Sequence, residues 1–188
     1  LSTNAQMKFD PVNDTIRIQE IEDIHLHKTG NPNKAKTLTA KSNLTVMENP
    51  QPIAIVTHEV IEQQQAKQLG DVLQNVNGLY ITSSRGNSQD SFGGRGFTFG
   101  NENIFKNGAR VNSGIFPEVS SLERVEVLKG ANAMLYGNVA PGGIINLITK
   151  KPRFNFGGSV ALNGGSWNTY KPTVDIFGPL SKKVAFRI

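Results

Sequence analysis

Beyond Lys150-Lys151-Pro152 the chain alternates between apolar and polar residues, and this pattern constrains its fold more than any other feature. Phe154, Phe156, Val160 and Leu162 are interleaved with Asn155, Ser159 and Asn163. Tyr170, Val174 and Ile176 then alternate with Thr169, Lys171, Thr173 and Asp175, and Val184, Phe186 and Ile188 repeat the pattern around Arg187. Successive side chains of a strand point to opposite faces, so each segment predicts a strand with one apolar and one polar face. Strands of about 10 residues joined by Gly-rich turns are the pattern of a transmembrane β-barrel. A soluble sandwich produces the same alternation. Two or three strands cannot close a barrel, and lipid does not tolerate an open sheet edge, so the barrel reading requires strands beyond those present here.

The preceding segment follows a different rule. Pro50 and Pro52 frame a turn before the short apolar run Ile53-Ala54-Ile55-Val56, and Thr57 is placed to cap a helix. Leu69, Val72, Leu73 and Val76 recur at helical spacing, with Gly70 as a candidate break and Asn77-Gly78 as a stop. Leu79-Tyr80-Ile81-Thr82 predicts a strand, and residues 83–100 form a loop with five glycines, Arg85 and Arg95. It is too long for a plain connection. Residues 104–111 predict a hairpin, because Asn107-Gly108 accepts the positive φ angles of a type I′ turn. Residues 122–128 and 144–149 predict two more strands, with a helical turn at 131–136 between them. Short strands mixed with short helices indicate an α+β domain over residues 44–152.

Residues 6–41 are polar and weakly patterned, and order is expected to begin near Leu44. Within this arm Ile16, Ile18, Ile21 and Ile24 recur two or three apart among acids, suiting a strand that adds to another sheet's edge. The opening residues carry Thr3 and Ala5 spaced like a small-x-small cleavage site, equally compatible with an ordinary polar terminus. Charge is divided along the chain. Residues 1–27 hold five acids against Lys8 and Arg17, whereas residues 150–188 hold seven bases against Asp175. A basic end beside a barrel suits anionic lipid, and no aromatic–basic motif of a nucleic-acid-binding module is present.

Several chemistries are excluded or unsupported. The chain has no cysteine, which removes thiolate catalysis and disulfide scaffolding. It has no Ser-His-Asp ordering, no HExxH and no Gly-Lys-Ser/Thr phosphate loop. His25 and His27 stand two apart, but two imidazoles without a third ligand make a poor metal site. No catalytic residue, resident metal or cofactor is expected.

Five blocks in order resemble the plug of TonB-dependent siderophore receptors. They are residues 49–57 (Asn-Pro-Gln-Pro-Ile-Ala-Ile-Val-Thr); Leu69-Gly70-Asp71-Val72-Leu73 with Asn77-Gly78-Leu79; Arg95-Gly96-Phe97 ahead of Asn107-Gly108; residues 122–130 (Leu-Glu-Arg-Val-Glu-Val-Leu-Lys-Gly); and residues 135–143 (Leu-Tyr-Gly-Asn-Val-Ala-Pro-Gly-Gly) running into Asn146 and Thr149-Lys150-Lys151-Pro152. Pro141-Gly142-Gly143 and the Pro-Gln opening favour the siderophore branch, of the ferrichrome-receptor kind. Asn77 stands where proline is usual, Gly94 replaces an aliphatic residue and Ala131 replaces a proline.

The resemblance implies three parts: a signal-peptide remnant and flexible arm at residues 1–43, an α+β plug at 44–152, and the first antiparallel strands of an outer-membrane barrel at 153–188. It also implies TonB-dependent import of a ferric siderophore by a monomeric receptor. Its partners would be the periplasmic domain of TonB with its ExbB/ExbD motor, outer-membrane lipid, and no nucleic acid. The TonB box would be Ile18, Gln19, Glu20, Ile21, Glu22, Asp23 and Ile24. Arg85 would meet the cargo, because a guanidinium offers planar donors to hydroxamate or carboxylate oxygens without competing for iron. Gly100, Asn101 and Phe116 join it by position. Arg95, Glu123, Arg124 and Glu126 would form an ionic cluster seating the plug against barrel-wall glutamates. The same fold could instead carry cobalamin, a saccharide or another metal complex, and the residues alone also admit a soluble β-rich interaction module.

Overall fold

The computed structural model describes residues 5–10, 15–20, 32–42, 44–84, 90–99, 101–111, 118–130, 136–165 and 168–188. It divides the chain into two compact units, Leu1–Gly30 and Asn31–Ile188. The first contains strands β1 (Ala5–Asp10) and β2 (Thr15–Glu20), paired antiparallel with Met7 opposite Ile18 and Phe9 opposite Ile16. The expected extended arm is thus a two-stranded ladder here. Its reason is visible in the residues, since Met7 and Phe9 alternate with the same period as Ile16 and Ile18.

The second unit is built on a five-stranded sheet. It contains β3 (Ile53–Thr57), β7 (Ile104–Lys106), β8 (Ala109–Arg110), β9 (Leu122–Lys129) and β10 (Gly143–Thr149), in the order β3-β9-β10-β7-β8. Only β10 and β7 run parallel. The two central strands are apolar on both sides, with Val125, Val127, Leu128, Ile144, Ile145 and Leu147 all inaccessible to solvent. On one face α1 (His58–Gln63) and α2 (Leu69–Leu73) set Ile61, Leu69, Val72 and Leu73 against Val56, Val125, Val127 and Ile145. On the other face Phe105, Leu128, Tyr136 and Ile144 form a smaller cluster. A separate three-stranded sheet comprises β4 (Leu79–Ser84), β5 (Asp90–Gly94) and β6 (Phe97–Phe99).

Local chemistry accounts for most boundaries. Asn107 and Gly108 have φ of 51° and 86°, the double left-handed step of the expected turn. Thr57 occupies the N-cap of α1, but its hydroxyl makes no capping bond; α2 instead begins with a reciprocal capping box between Gln68 and Asp71. Gly70 is not the helix break. The chain turns between the helices at Gln65, which takes φ of 50°, and Gly70 lies inside α2, where an added Cβ would meet Ile81 and Asp90 at 3.0 and 3.1 Å. The helical turn expected at 131–136 lies outside the described residues apart from Tyr136.

Order begins well before Leu44. Residues Pro32–Lys34 form a 3-10 turn, Lys36 bridges to Thr45, and Thr37, Thr39 and Ala40 are buried. The segment has no apolar period because side-chain hydrogen bonds hold it, as described below.

The C-terminal strands β11 (Gly157–Gly165), β12 (Thr169–Ser181) and β13 (Val184–Arg187) form an antiparallel sheet. Its exposure separates the two readings of the alternation. Val160, Leu162 and Tyr170 are 80%, 72% and 73% exposed, while Asn163, Lys171, Thr173 and Asp175 are half-buried. A soluble sandwich hides its apolar face; this sheet turns that face outward and its polar face towards the rest of the unit. An exposed apolar face of this period is the surface a barrel strand offers to lipid. Val160→Arg is therefore expected to reduce folding in bilayers by about 2–4 kcal/mol, whereas Ser159→Lys, opposite Asp175, costs under about 1 kcal/mol. Urea titration of heat-modifiable migration of the full-length protein measures both.

Candidate functional site

Charged side chains mark two places where the plug is tied to other parts of the chain. The first is Glu126, in the middle of β9 and inaccessible to solvent. On the sheet face away from the helices it accepts hydrogen bonds from Thr37 Oγ1 at 2.7 Å, Thr39 Oγ1 at 2.6 Å, the amides of Leu38 and Thr39 at 3.0 and 2.9 Å, and Arg124 Nε at 2.7 Å. A buried charge requires this kind of complete satisfaction. Burial pushes the carboxyl pKa up, but the donors from Thr39, Thr37 and Arg124 together outweigh it and hold the group below its ordinary value.

The surrounding residues extend this network. Asn146 of β10 donates to Thr39 Oγ1 at 3.1 Å, and Tyr136 Oη donates to the Thr39 carbonyl at 2.7 Å. Burial and the neighbouring Glu126 charge push the Tyr136 phenol up to about 12, so it remains a donor at any physiological pH. Its ring stacks edge-on with Phe105 at 4.6 Å and carries Lys41 over its face at 4.4 Å. Residues 36–41 are thereby fastened to β9, β10 and Tyr136.

The second place is the contact between the plug and the outer strands. Asp175 of β12 pairs with Lys150, just past β10, at 2.9 Å and with Arg187 of β13 at 2.6 Å. Glu123 pairs with Arg153 at 3.3 Å, and Glu118 pairs with Lys171. Beside these pairs a cavity of about 290 Å³ separates α1 from the inner face of β11 and β12, lined by His58, Glu62, Lys150, Asn163, Lys171 and Thr173. Plug and wall thus meet through charges and polar surface.

The expected ionic cluster divides between these places. Arg124 and Glu126 pair with each other and with residues 36–39, while Glu123 serves the wall. Arg95 belongs with neither. It has φ of 55°, lies over Gly130 and adjoins Lys129, whose ammonium pKa is pushed down by burial and by the Arg95 charge. Lys129, Thr37, Thr39, Tyr136 and Asp175 were not singled out by sequence; for Thr37 and Thr39 the only signal was two hydroxyls in an otherwise featureless arm. Arg85, Gly100 and Phe116 lie outside the described residues, and Asn101 begins a 3-10 turn, Asn101–Asn103. Ile18, Gln19 and Glu20 end β2, and residues 21–24 lie outside the described residues, as do His25 and His27. Among the described residues no three His, Cys, Asp or Glu side chains are grouped to hold a metal.

Two outcomes follow. Because the folded Glu126 pKa lies below its unfolded value of about 4.3, its contribution is complete above that value and lost as pH falls through the folded pKa. The protection of the residue 37–39 amides, taken relative to their intrinsic exchange rate, should therefore fall as the pH drops through the folded Glu126 pKa, and Glu126→Gln should flatten that dependence. Asp175→Asn leaves Lys150 and Arg187 facing each other and should weaken plug seating by about 2–3 kcal/mol, read as trypsin sensitivity of the plug in the full-length receptor.

Comparison with known proteins matches this architecture. Residues 45–144, more than half of the chain, match the family model of the TonB-dependent receptor plug domain. The ferripyoverdine receptor of Pseudomonas aeruginosa is 32% identical over 145 residues, covering 74% of this chain and 18% of the relative. The ferrioxamine B receptor of Salmonella typhimurium is 32% identical over 152 residues, covering 76% of this chain and 22% of the relative. The crystal structure of the outer-membrane ferripyoverdine receptor of P. aeruginosa bound to ferripyoverdine superimposes with a TM-score of 0.71 at 29% identity, covering 96% of this chain and 24% of that one. The chain spans about a fifth of the length of these relatives, and with a plug sheet followed by strands whose polar face meets it, the chain belongs to the TonB-dependent receptor plug-domain family.

Proposed function

We propose that this chain is the plug and first wall strands of an outer-membrane receptor that imports a ferric siderophore with energy supplied through TonB. One observation carries the reading: the polar face of β11–β13 meets the plug through the Asp175–Lys150 and Lys171–Glu118 pairs while the apolar face points outward, as in a plug seated inside a membrane barrel. The cargo class follows from the relatives, whose names specify ferripyoverdine and ferrioxamine B.

In this reading cargo binds on the outer side of the plug. Arg85 presents its guanidinium to the oxygen ligands around ferric iron, and Gly100, Asn101 and Phe116 shape the same surface. Iron is cargo, held by the siderophore, and the receptor carries out no covalent chemistry. The segment from Ile18 to Ile24 adds as a strand to TonB's periplasmic domain, where main-chain hydrogen bonds transmit a pull without depending on one side chain. Arg95 and Lys129 face carboxylates of wall strands outside this chain, which would offset the burial and the Arg95 charge that lower the Lys129 pKa. Displacement of part of the plug then opens a path along a polar seam such as the cavity beside α1.

Growth rescue tests the reading. A strain deleted for the receptor should regain growth on one or more defined ferric siderophores when the full-length gene is restored. Arg85→Ala should raise the siderophore concentration giving half-maximal growth about tenfold, the loss of one charge-assisted contact. Indifference of the restored strain to every iron chelate would remove the siderophore reading.

A further inference from the structure

We propose that residues 36–41 are a mechanical clasp on the plug and that Glu126 is its positioning residue, so that tension entering through residues 1–30 loads the Glu126 side chain before the main-chain ladder of β9 and β10. The inference rests on the TonB-driven reading above and adds the site at which the pulled arm ends.

The clasp segment belongs to no sheet. Its main-chain ties are the Lys36–Thr45 bridge, with the neighbouring amides of Val46 and Met47 donating to Ala35 and Asn33. It is further held by side chains of β9 and β10 and by Tyr136. Glu126 gathers both threonine hydroxyls and two consecutive amides, Arg124 reaches the Lys36 carbonyl at 3.4 Å, Asn146 reaches Thr39, and Tyr136 holds the Thr39 carbonyl. Apolar contact contributes little, since Leu38 is half exposed and Ala40 alone of the segment is a buried apolar residue.

This composition sets how the clasp fails. Hydrogen bonds and ion pairs lose most of their strength within an ångström or two of stretching, whereas apolar contact declines with the area exposed. Lifting Thr37 and Thr39 also strands a buried carboxylate with only Arg124 beside it, so partial opening is worse than either end state. The clasp therefore holds and then lets go. Upstream of it the chain is arm; downstream, each residue pulled comes from the plug itself.

A neutral amide at position 126 cannot reproduce the arrangement. Glu126→Gln keeps the shape but turns an NH2 group towards donors, and Thr39→Val removes one hydroxyl that both donates to Glu126 and accepts from Asn146. The test pulls the full-length receptor, reconstituted in a lipid bilayer, from its N-terminus by force spectroscopy, with hydrogen exchange of β9 and β10 as the folding control. Once the β1–β2 ladder has opened, the wild type should give a first rupture whose contour length places it at residues 36–41. Glu126→Gln should lower that rupture force at least twofold, and Thr39→Val should lower it by less. A first rupture located beyond Leu122, or a force unchanged in both variants, overturns the proposal. If Glu126→Gln also loses protection in β9 and β10, Thr39→Val alone decides by the same criterion. Neither TonB nor cargo is present in this measurement, so a receptor that imports no siderophore yet shows the rupture retires the transport reading and leaves the clasp intact.

Discussion

A charge in the middle of a central strand is the constraint around which this plug is arranged. Glu126 sits in β9, flanked by Val125 and Val127, with no access to solvent. An ionised carboxylate there would cost several kcal/mol if left unpaired. Arg124 supplies one donor, and the rest come from a segment that belongs to no sheet. Residues 37–39 provide four, two from hydroxyls and two from amides. The folded body therefore extends upstream of the matched plug region at residues 45–144.

The same logic, applied at the surface, joins the plug to the wall. Residues 150–188 hold seven bases against one acid, and four of the seven find acid partners. Lys150 and Arg187 share Asp175, Arg153 meets Glu123, and Lys171 meets Glu118. The apolar residues of these strands point the other way. A single sheet thus presents charge to the plug and hydrocarbon-compatible side chains to its surroundings, with the period of two deciding which residue does which.

Periodic features were legible in the sequence, and aperiodic ones were not. The alternation after Pro152, the apolar runs of β3, β9 and β10, and the Asn107-Gly108 turn each follow from a local rule that the structure obeys. Gly70 was misread because a glycine in a helix suggests a break, while here it admits Ile81 and Asp90. The clasp was missed because Thr37, Leu38 and Thr39 have no hydrophobic period, and their partner lies 87 to 89 positions away. Arg95, Glu123, Arg124 and Glu126 were read as one ionic cluster seating the plug against wall glutamates, whereas Arg124 pairs with Glu126 and Glu123 with Arg153. Their partners could not be assigned, since spacing along the chain does not say that Arg153 answers Glu123 or that Lys129 lies beside Arg95.

The division of labour along β9 suggests why charge was used for these contacts. Val125 and Val127 hold the helices by apolar packing, Arg124 and Glu126 hold the clasp, and Glu123 holds the wall. Separating apolar surfaces costs about 25 cal/mol for each Å² exposed to water, and the cost grows with the distance travelled until separation is complete. Parting an exposed ion pair costs about 1 kcal/mol or less, because water takes over each partner. A body that must stay folded while moving against its housing is best held together by the first kind of contact and joined to its surroundings by the second. The helices and central strands meet the first condition; the Glu123–Arg153 and Glu118–Lys171 pairs, open to water, meet the second. The clasp lies between them, as do the pairs of Asp175, since their groups are polar but largely shut away from water.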